Sequence, residues 1–144
     1  MNLVTGATGL LGSHVLIELA KRDKPIRAAY RSDTKKAAVE QLFHYYLKED
    51  ASKKWQQIEW VQADLRDIDD LKRLINGCQF VYHCAALVSF FKADFEACIQ
   101  HNRYVTANLV DLANLSGVQH FCHVSSTAAI GGKEALVNEK SKWQ

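Results

Sequence analysis

The sequence predicts an α/β fold, a parallel sheet with helices packed on both of its faces. Five strand-sized runs of β-branched and apolar residues alternate along the chain with stretches whose apolar residues recur at helical spacing. A glycine-rich turn, Gly6-Ala7-Thr8-Gly9-Leu10-Leu11-Gly12, stands at the first handover from strand to helix. Strands joined through helices run parallel and connect by right-handed crossovers, which gives the strand order 3-2-1-4-5.

Asn2 to Thr5 is a short β-branched and apolar run, and Leu10 to Lys21 follows at helical spacing. After Pro25, Ile26 to Tyr30 forms the second strand. The next helix spans Thr34 to Lys48, with Thr34 as its cap and Ala38, Leu42, Phe43, Tyr46 and Leu47 on one face. The charged stretch Glu49 to Gln56 reads as a solvated loop, and Ile58 to Gln62 as the third strand. Asp67 caps a helix containing Leu71, Leu74 and Ile75, which ends at Asn76-Gly77, a pair suited to left-handed termination. Phe80 to Cys84 is the fourth strand. A long helix from Phe95 to Leu115 ends at Ser116-Gly117, and His120 to Val124 is the fifth strand.

The bulk numbers fit one soluble domain. The chain has 144 residues, of which 48% are hydrophobic and 24% charged. No run approaches the ~20 apolar residues of a membrane helix, and the N-terminus lacks the pattern of a signal peptide, so a cytoplasmic location and no membrane partner are expected. A net charge of +2 with interspersed signs gives no nucleic-acid surface. Cys78, Cys84, Cys98 and Cys122 form no close-spaced pair and read as small buried apolar residues. His83, His120 and His123 lie on two separate strands and read as structural rather than as metal ligands, so no metal site is expected.

The glycine turn has a mechanical meaning at that junction. Gly6 permits the sharp turn, Gly9 lets the backbone approach a pyrophosphate, and Gly12 lets the helix lie close to the sheet. The helix then aims unsatisfied N–H groups at an anion. With a strand before it and an amphipathic helix after it, this is the phosphate turn of a Rossmann-type dinucleotide-binding domain.

The spacing Thr5-Gly-x-x-Gly-x-x-Gly12 resembles the extended short-chain dehydrogenase/reductase family, which holds NAD-dependent epimerases and dehydratases, dihydroflavonol reductases and 3β-hydroxysteroid dehydrogenases. Further segments carry the likeness. Ala63-Asp64-Leu65 is similar to the family's adenine contact, and His83-Cys84-Ala85-Ala86 to its cofactor-flanking H-x-A-A segment. Asn102 lies in the helix that carries a structural Asn in many members. His123-Val124-Ser125-Ser126-Thr127-Ala128-Ala129-Ile130-Gly131 is similar to V-S-S-x-x-x-Y-G, with Ile130 in place of the Tyr, and Glu139 and Trp143 are similar to an E-x-x-x-W feature of dihydroflavonol-reductase-like members.

The resemblance implies cofactor contacts at Thr5, Gly6, Thr8, Gly9, Leu10, Leu11 and Gly12 in the turn. Across the later strand ends it implies Asp64, Leu65, Cys84, Ala85 and Ala86, then Asn102, Val124 and Ser125. Ser126 aligns with the catalytic Ser or Thr, and Thr127 takes its place if the register slips by one residue. The family's Y-x-x-x-K pair is absent: none of Tyr30, Tyr45, Tyr46, Tyr82 and Tyr104 has a Lys four residues later. A phenol with a pKa near 10 needs a partner to work as a proton donor at neutral pH, so the chain alone is expected to bind nucleotide without turning over substrate, as the N-terminal part of a longer enzyme.

Cofactor choice turns on the end of the second strand, Tyr30-Arg31. An Arg there suits a 2′-phosphate, and in dihydroflavonol-reductase-like enzymes the matching Arg faces it, so NADP(H) is favoured, with Lys35 or Lys36 adding charge. If Asp33 faced the ribose instead, NAD(H) would win through hydrogen bonding and phosphate repulsion. The leading expectation is hydride transfer between NADP(H) and a carbonyl or alcohol substrate, and the alternatives are an NAD-dependent nucleotide-sugar epimerase or dehydratase and a non-enzymatic redox sensor. Phe90, Phe91 and Phe95 either line a substrate pocket or form a core cap over the sheet. Family members often dimerise through two helices, one of them matching Phe95 to Leu115, which makes a homodimer possible by resemblance.

Overall fold

In a computed structural model, which describes residues 1–130 and Asn138, five parallel strands form one sheet in the order β3-β2-β1-β4-β5. The strands are β1 (Asn2–Thr5), β2 (Ile26–Tyr30), β3 (Glu59–Gln62), β4 (Phe80–His83) and β5 (His120–His123), and the helices are α1 (Leu10–Lys21), α2 (Lys36–Leu47), α3 (Ala51–Gln56), α4 (Ile68–Ile75), α5 (Phe95–Cys98) and α6 (Val105–Leu115). This is the Rossmann arrangement that the alternating pattern predicts, and the order of strands matches as well.

Alternation along β1 divides the core. Leu3 and Val4 are both fully buried yet point to opposite faces, as successive strand residues must. Val4 packs with Leu16, Ile17, Ala20, Val39 and Phe43 beneath α1 and α2, whereas Leu3 packs with Leu71, Leu74, Val81 and Leu109 beneath α4 and α6. A strand buried on both faces has no polar side to present, which is why β1 is apolar apart from Asn2 and Thr5. Those two are satisfied: the Asn2 amide donates to the Pro25 carbonyl at 2.8 Å, and Thr5 reaches the His83 ring.

The helix ends obey local rules where the sequence offers them. Asp67 caps α4 by accepting from the backbone N–H groups of Asp69 and Asp70. Gly77 and Gly117, with φ of 72° and 71°, end the segments after α4 and α6 in the left-handed conformation. Arg27 on β2 donates to the carbonyls of Leu74 and Asn76 at 2.8 Å each, tying the C-terminus of α4 to the sheet.

Several elements differ from the expected ones. The charged stretch Glu49 to Gln56 is helical rather than a loop: a turn at Lys48–Asp50 leads into α3, whose Ala51 is fully buried and whose Trp55 packs edge-on against Phe43 and tilted against Trp60. Thr34 does not cap α2. It lies within a tight turn at Asp33–Lys35 with its hydroxyl 2.9 Å from that of Ser32, and α2 begins at Lys36. Val39, not Ala38, joins Phe43 in the core, while Tyr46 stays 43% exposed. The single long helix from Phe95 divides into α5, a wider turn of π type at Ile99–Tyr104, and α6. Of the four cysteines only Cys78 is buried, and Cys122 is exposed. Phe90 and Phe91 are neither core nor cap, standing 98% and 78% exposed.

His83 joins three elements. Its Nδ1 lies 2.7 Å from the Thr5 hydroxyl and its Nε2 2.9 Å from the Thr106 hydroxyl. The Ala85 N–H donates to Thr5 Oγ1, and since each hydroxyl can donate to or accept from the ring, both ring nitrogens are paired in either neutral tautomer. Burial, with a smaller contribution from His123, holds the imidazole down at about 4. Between pH 6.5 and 4 the unfolded chain therefore binds a proton that the native state refuses. The expected result is stability that is full above pH 6.5 and falls by about 3 kcal/mol as pH drops to 4, at 1.36 kcal/mol per unit. Urea unfolding across that range checks it, and the fall should flatten in His83→Gln; equal slopes in the two proteins would refute it.

Candidate functional site

A groove opens along the C-terminal ends of β1, β2, β3 and β4, at the point where the strand order reverses between β1 and β4. Its floor is the glycine turn. Gly6 has φ of 63°, a conformation that disfavours any side chain, and a Cβ there would sit 2.7 Å from the Ala85 nitrogen. A Cβ on Gly12 would lie 2.2 Å from the Gly6 carbonyl oxygen. Backbone thus packs on backbone at both positions. Gly9 faces the groove and precedes α1 without a side chain, and the first turn of α1 carries no acidic residue. Unpaired N–H groups and the positive end of the helix dipole make this a place for a phosphate, and the residues present fit one.

Cationic groups stand at the end of β2. Arg31, Ser32 and Lys35 line the groove there. Asp33 does not. It lies outside the lining, 72% exposed, with its carboxylate 3.3 Å from the Lys36 ammonium, which itself sits over the Tyr30 ring at 4.5 Å. Of the two lysines expected to add charge, Lys35 reaches the groove and Lys36 is held against Tyr30 and Trp60.

At the end of β3, Ala63, Asp64 and Leu65 form the next part of the wall. The Asp64 N–H donates to the Asp70 carboxylate at 2.8 Å, which fixes the loop. The Arg66 side chain and backbone N–H both donate to the Asp64 carboxylate and hold it down at about 2. Cys84, Ala85 and Ala86 continue the lining beyond β4, and burial pushes the Cys84 thiol up, away from its reactive form.

Asn102 acts from outside this wall. Its side-chain oxygen accepts from the Leu87 N–H and its amide donates to the Leu87 carbonyl, both at 2.8 Å, so the exposed loop after β4 is held by one residue at both backbone groups. Thr5 and Gly12 likewise support the floor without lining it, and Leu10 and Leu11 are exposed at the start of α1. Val124, Ser125, Ser126 and Thr127 follow β5, exposed at the same sheet edge but outside the groove lining. Gly131, Glu139 and Trp143 lie outside the described residues. Lining residues that were not among the predicted site residues are Ala29, Tyr30, Ser32, Leu87, His101 and Val105. The one sequence signal near the last two is that His101 adjoins Asn102; their entry into the groove follows from where the fold places this helical segment. Among the described residues no group of three His, Cys, Asp or Glu side chains could hold a metal ion, and no helix is long and apolar enough to cross a membrane.

Comparison with known proteins agrees with this geometry. The model of the NAD dependent epimerase/dehydratase family matches residues 2–143. The chain belongs to that family. Sterol demethylase protein B of Methylococcus capsulatus is 32% identical over 129 residues, covering 90% of this chain and 35% of the relative. Vestitone reductase of Medicago sativa is 29% identical over 151 residues, covering 97% and 43%. The crystal structure of UDP-glucuronic acid 4-epimerase from Bacillus cereus in complex with NAD is 26% identical with a TM-score of 0.75, covering 99% of this chain and 45% of that one. The chain spans about a third of the length of the first curated relatives that it matches, 34% and 35%. Both a reductase and an epimerase thus appear among the proteins to which the chain is similar.

The backbone contact beneath the groove has a measurable cost when broken. Gly12→Ala should lose about 3 kcal/mol, since neither the Gly6 carbonyl nor the helix can retreat far in a packed core. Gly77→Ala, with nothing within 4 Å of its added carbon but a φ of 72°, should lose only about 1 kcal/mol. Urea midpoints of the two variants decide the matter, and equal losses would sink the packing argument.

Proposed function

We propose that this chain is the cofactor-binding part of an NADP(H)-dependent oxidoreductase that moves hydride between the nicotinamide and a carbonyl or alcohol substrate. The observation that carries the cofactor choice is the arrangement at the end of β2: Arg31 and Lys35 line the groove, while Asp33 is turned onto Lys36. A guanidinium and an ammonium attract the extra phosphate of NADP(H), and the carboxylate that would repel it faces away.

In this reading Gly6, Thr8, Gly9 and the first turn of α1, with Leu10 and Leu11, receive the pyrophosphate, and Asp64 and Leu65 border the adenine. Cys84, Ala85 and Ala86 flank the rest of the cofactor. Asn102 keeps that loop in place through Leu87. Val124 and Ser125 approach the cofactor from β5. The cofactor supplies hydride exchange when bound. Ser126 hydrogen-bonds the substrate oxygen, with Thr127 as the neighbouring hydroxyl, and a Tyr and Lys supplied from outside this chain handle the proton. Binding and proton chemistry are thereby separated along the sequence.

A second reading has support from the NAD-bound epimerase to which the chain is similar: an NAD(H)-dependent enzyme that oxidises and re-reduces a nucleotide sugar. Calorimetric titration with NADPH and NADH separates the two. The expected outcome is tighter binding of NADPH, and Arg31→Ala should weaken NADPH about tenfold while changing NADH less than twofold, the ~1.4 kcal/mol of one charge-assisted contact. A clear preference for NADH in the unmodified protein would move the reading to the epimerase.

A further inference from the structure

We propose that His101 is a cofactor-binding residue, its imidazole facing the purine end of the bound dinucleotide across the groove from Asp64. The proposal deepens the dinucleotide reading above and rests on it.

Three observations lead there. His101 lines the groove together with Val105, although it lies on the helical segment behind β4 rather than on any of the strand-end loops that carry the recognised motifs. The segment that holds it is irregular: Ile99–Tyr104 is a turn of π type between α5 and α6, a geometry that displaces side chains from the register of a regular helix and is frequent at functional sites. His101 is one of the groups, after Arg66, that lower the Asp64 carboxyl, so the two side chains lie within electrostatic reach of one another.

A packing role for His101 is already filled by its neighbour. Asn102 fastens both backbone groups of Leu87 at 2.8 Å, so the loop after β4 does not require His101 for its position. Among the described residues the His101 ring makes no hydrogen bond of its own, whereas the other histidine at the floor of the sheet, His83, uses both nitrogens. An imidazole with both ring nitrogens uncommitted and a face toward a groove is a ligand contact in waiting.

The chemistry of the groove chooses the ligand portion. Its glycine floor and the start of α1 suit phosphate, and Arg31 with Lys35 suit a second phosphate. The stretch between Leu65 and Val105 is bordered by apolar side chains, which take the flat face of a heterocycle, and Asp64 and His101 are the polar groups beside it. A purine edge presents both donors and acceptors, and a neutral imidazole offers one of each.

Titration of the protein with NADPH and with adenosine 2′,5′-bisphosphate, which carries only the purine end, tests this. His101→Ala should weaken both about five- to tenfold, His101→Gln should restore at least half of the loss by keeping a donor and an acceptor, and neither should move the melting temperature by more than a degree or two. An Asn102→Ala variant should instead lower the melting temperature, because it frees the loop. Affinities within twofold of wild type in His101→Ala, or an equal loss in the Ala and Gln variants, would overturn the assignment of His101 while leaving nucleotide binding intact. Failure of the unmodified protein to bind either nucleotide would instead overturn the dinucleotide reading itself, and this assignment with it.

Discussion

Everything at the functional edge of this molecule depends on a contact between stretches of backbone with no side chain between them. The carbonyl of Gly6 lies where a Cβ of Gly12 would be, and the α-carbon of Gly6 faces the backbone of Ala85. Because of the first contact, the start of α1 packs close over the end of β1. Because of the second, the segment leaving β4 runs directly beside the glycine turn. The glycine floor of the groove exists because these three stretches of backbone can touch without side chains between them.

A floor made of backbone needs polar support, and the residues behind it supply that support without lining the groove. Thr5 links the glycine turn to His83 and accepts from Ala85, and His83 passes the chain of hydrogen bonds on to Thr106 in α6. This network is largely buried, so its members must be paired, and burial is also what lowers the His83 pKa and keeps the ring uncharged near neutral pH. Asn102 does the same work at the opposite wall through Leu87. Loop positions that are otherwise exposed are in this way fixed by two short polar relays, one from the sheet and one from the helix.

The fold was legible because its signals are local and redundant. Each strand reads as a β-branched or apolar run, each main helix as a period of 3.6, and the glycine turn marks the one place where they must meet closely. What escaped was encoded outside those patterns. Among the six residues of α3 only Ala51 and Trp55 face the core, so four polar positions hide a helix that exists because Trp55 packs on Phe43 and Trp60. The π turn at Ile99–Tyr104 changes the hydrogen-bond register without changing the apolar spacing around it, so periodicity cannot reveal it. Phe90 and Phe91 read either as pocket lining or as core or a cap over the sheet, but both stand exposed and neither lines the groove. Of the site, the strand-end motifs were visible, whereas His101 and Val105 enter the groove from a helix whose position depends on the tertiary fold.

The order of strands also explains why the groove and the hydroxyl cluster after β5 are neighbours and yet distinct. Chain order places Arg31, Asp64, Cys84 and Ser126 at the ends of β2, β3, β4 and β5, but the sheet order 3-2-1-4-5 interposes the glycine turn of β1 between the first pair and the second. A ligand anchored at that turn can extend in two directions, toward the cations of β2 and the carboxylate of β3, or across β4 toward β5. Cationic and polar side chains collect on the first side, whereas Cys84, Ala85 and Ala86 leave the second side small and nearly uncharged. The hydroxyls at Ser125, Ser126 and Thr127 are exposed at the next strand end, outside the groove lining. The separation is a consequence of crossover topology rather than of any single residue: reversing the winding at β1 puts the charged side chains on one half of the edge and leaves small residues and hydroxyls on the other.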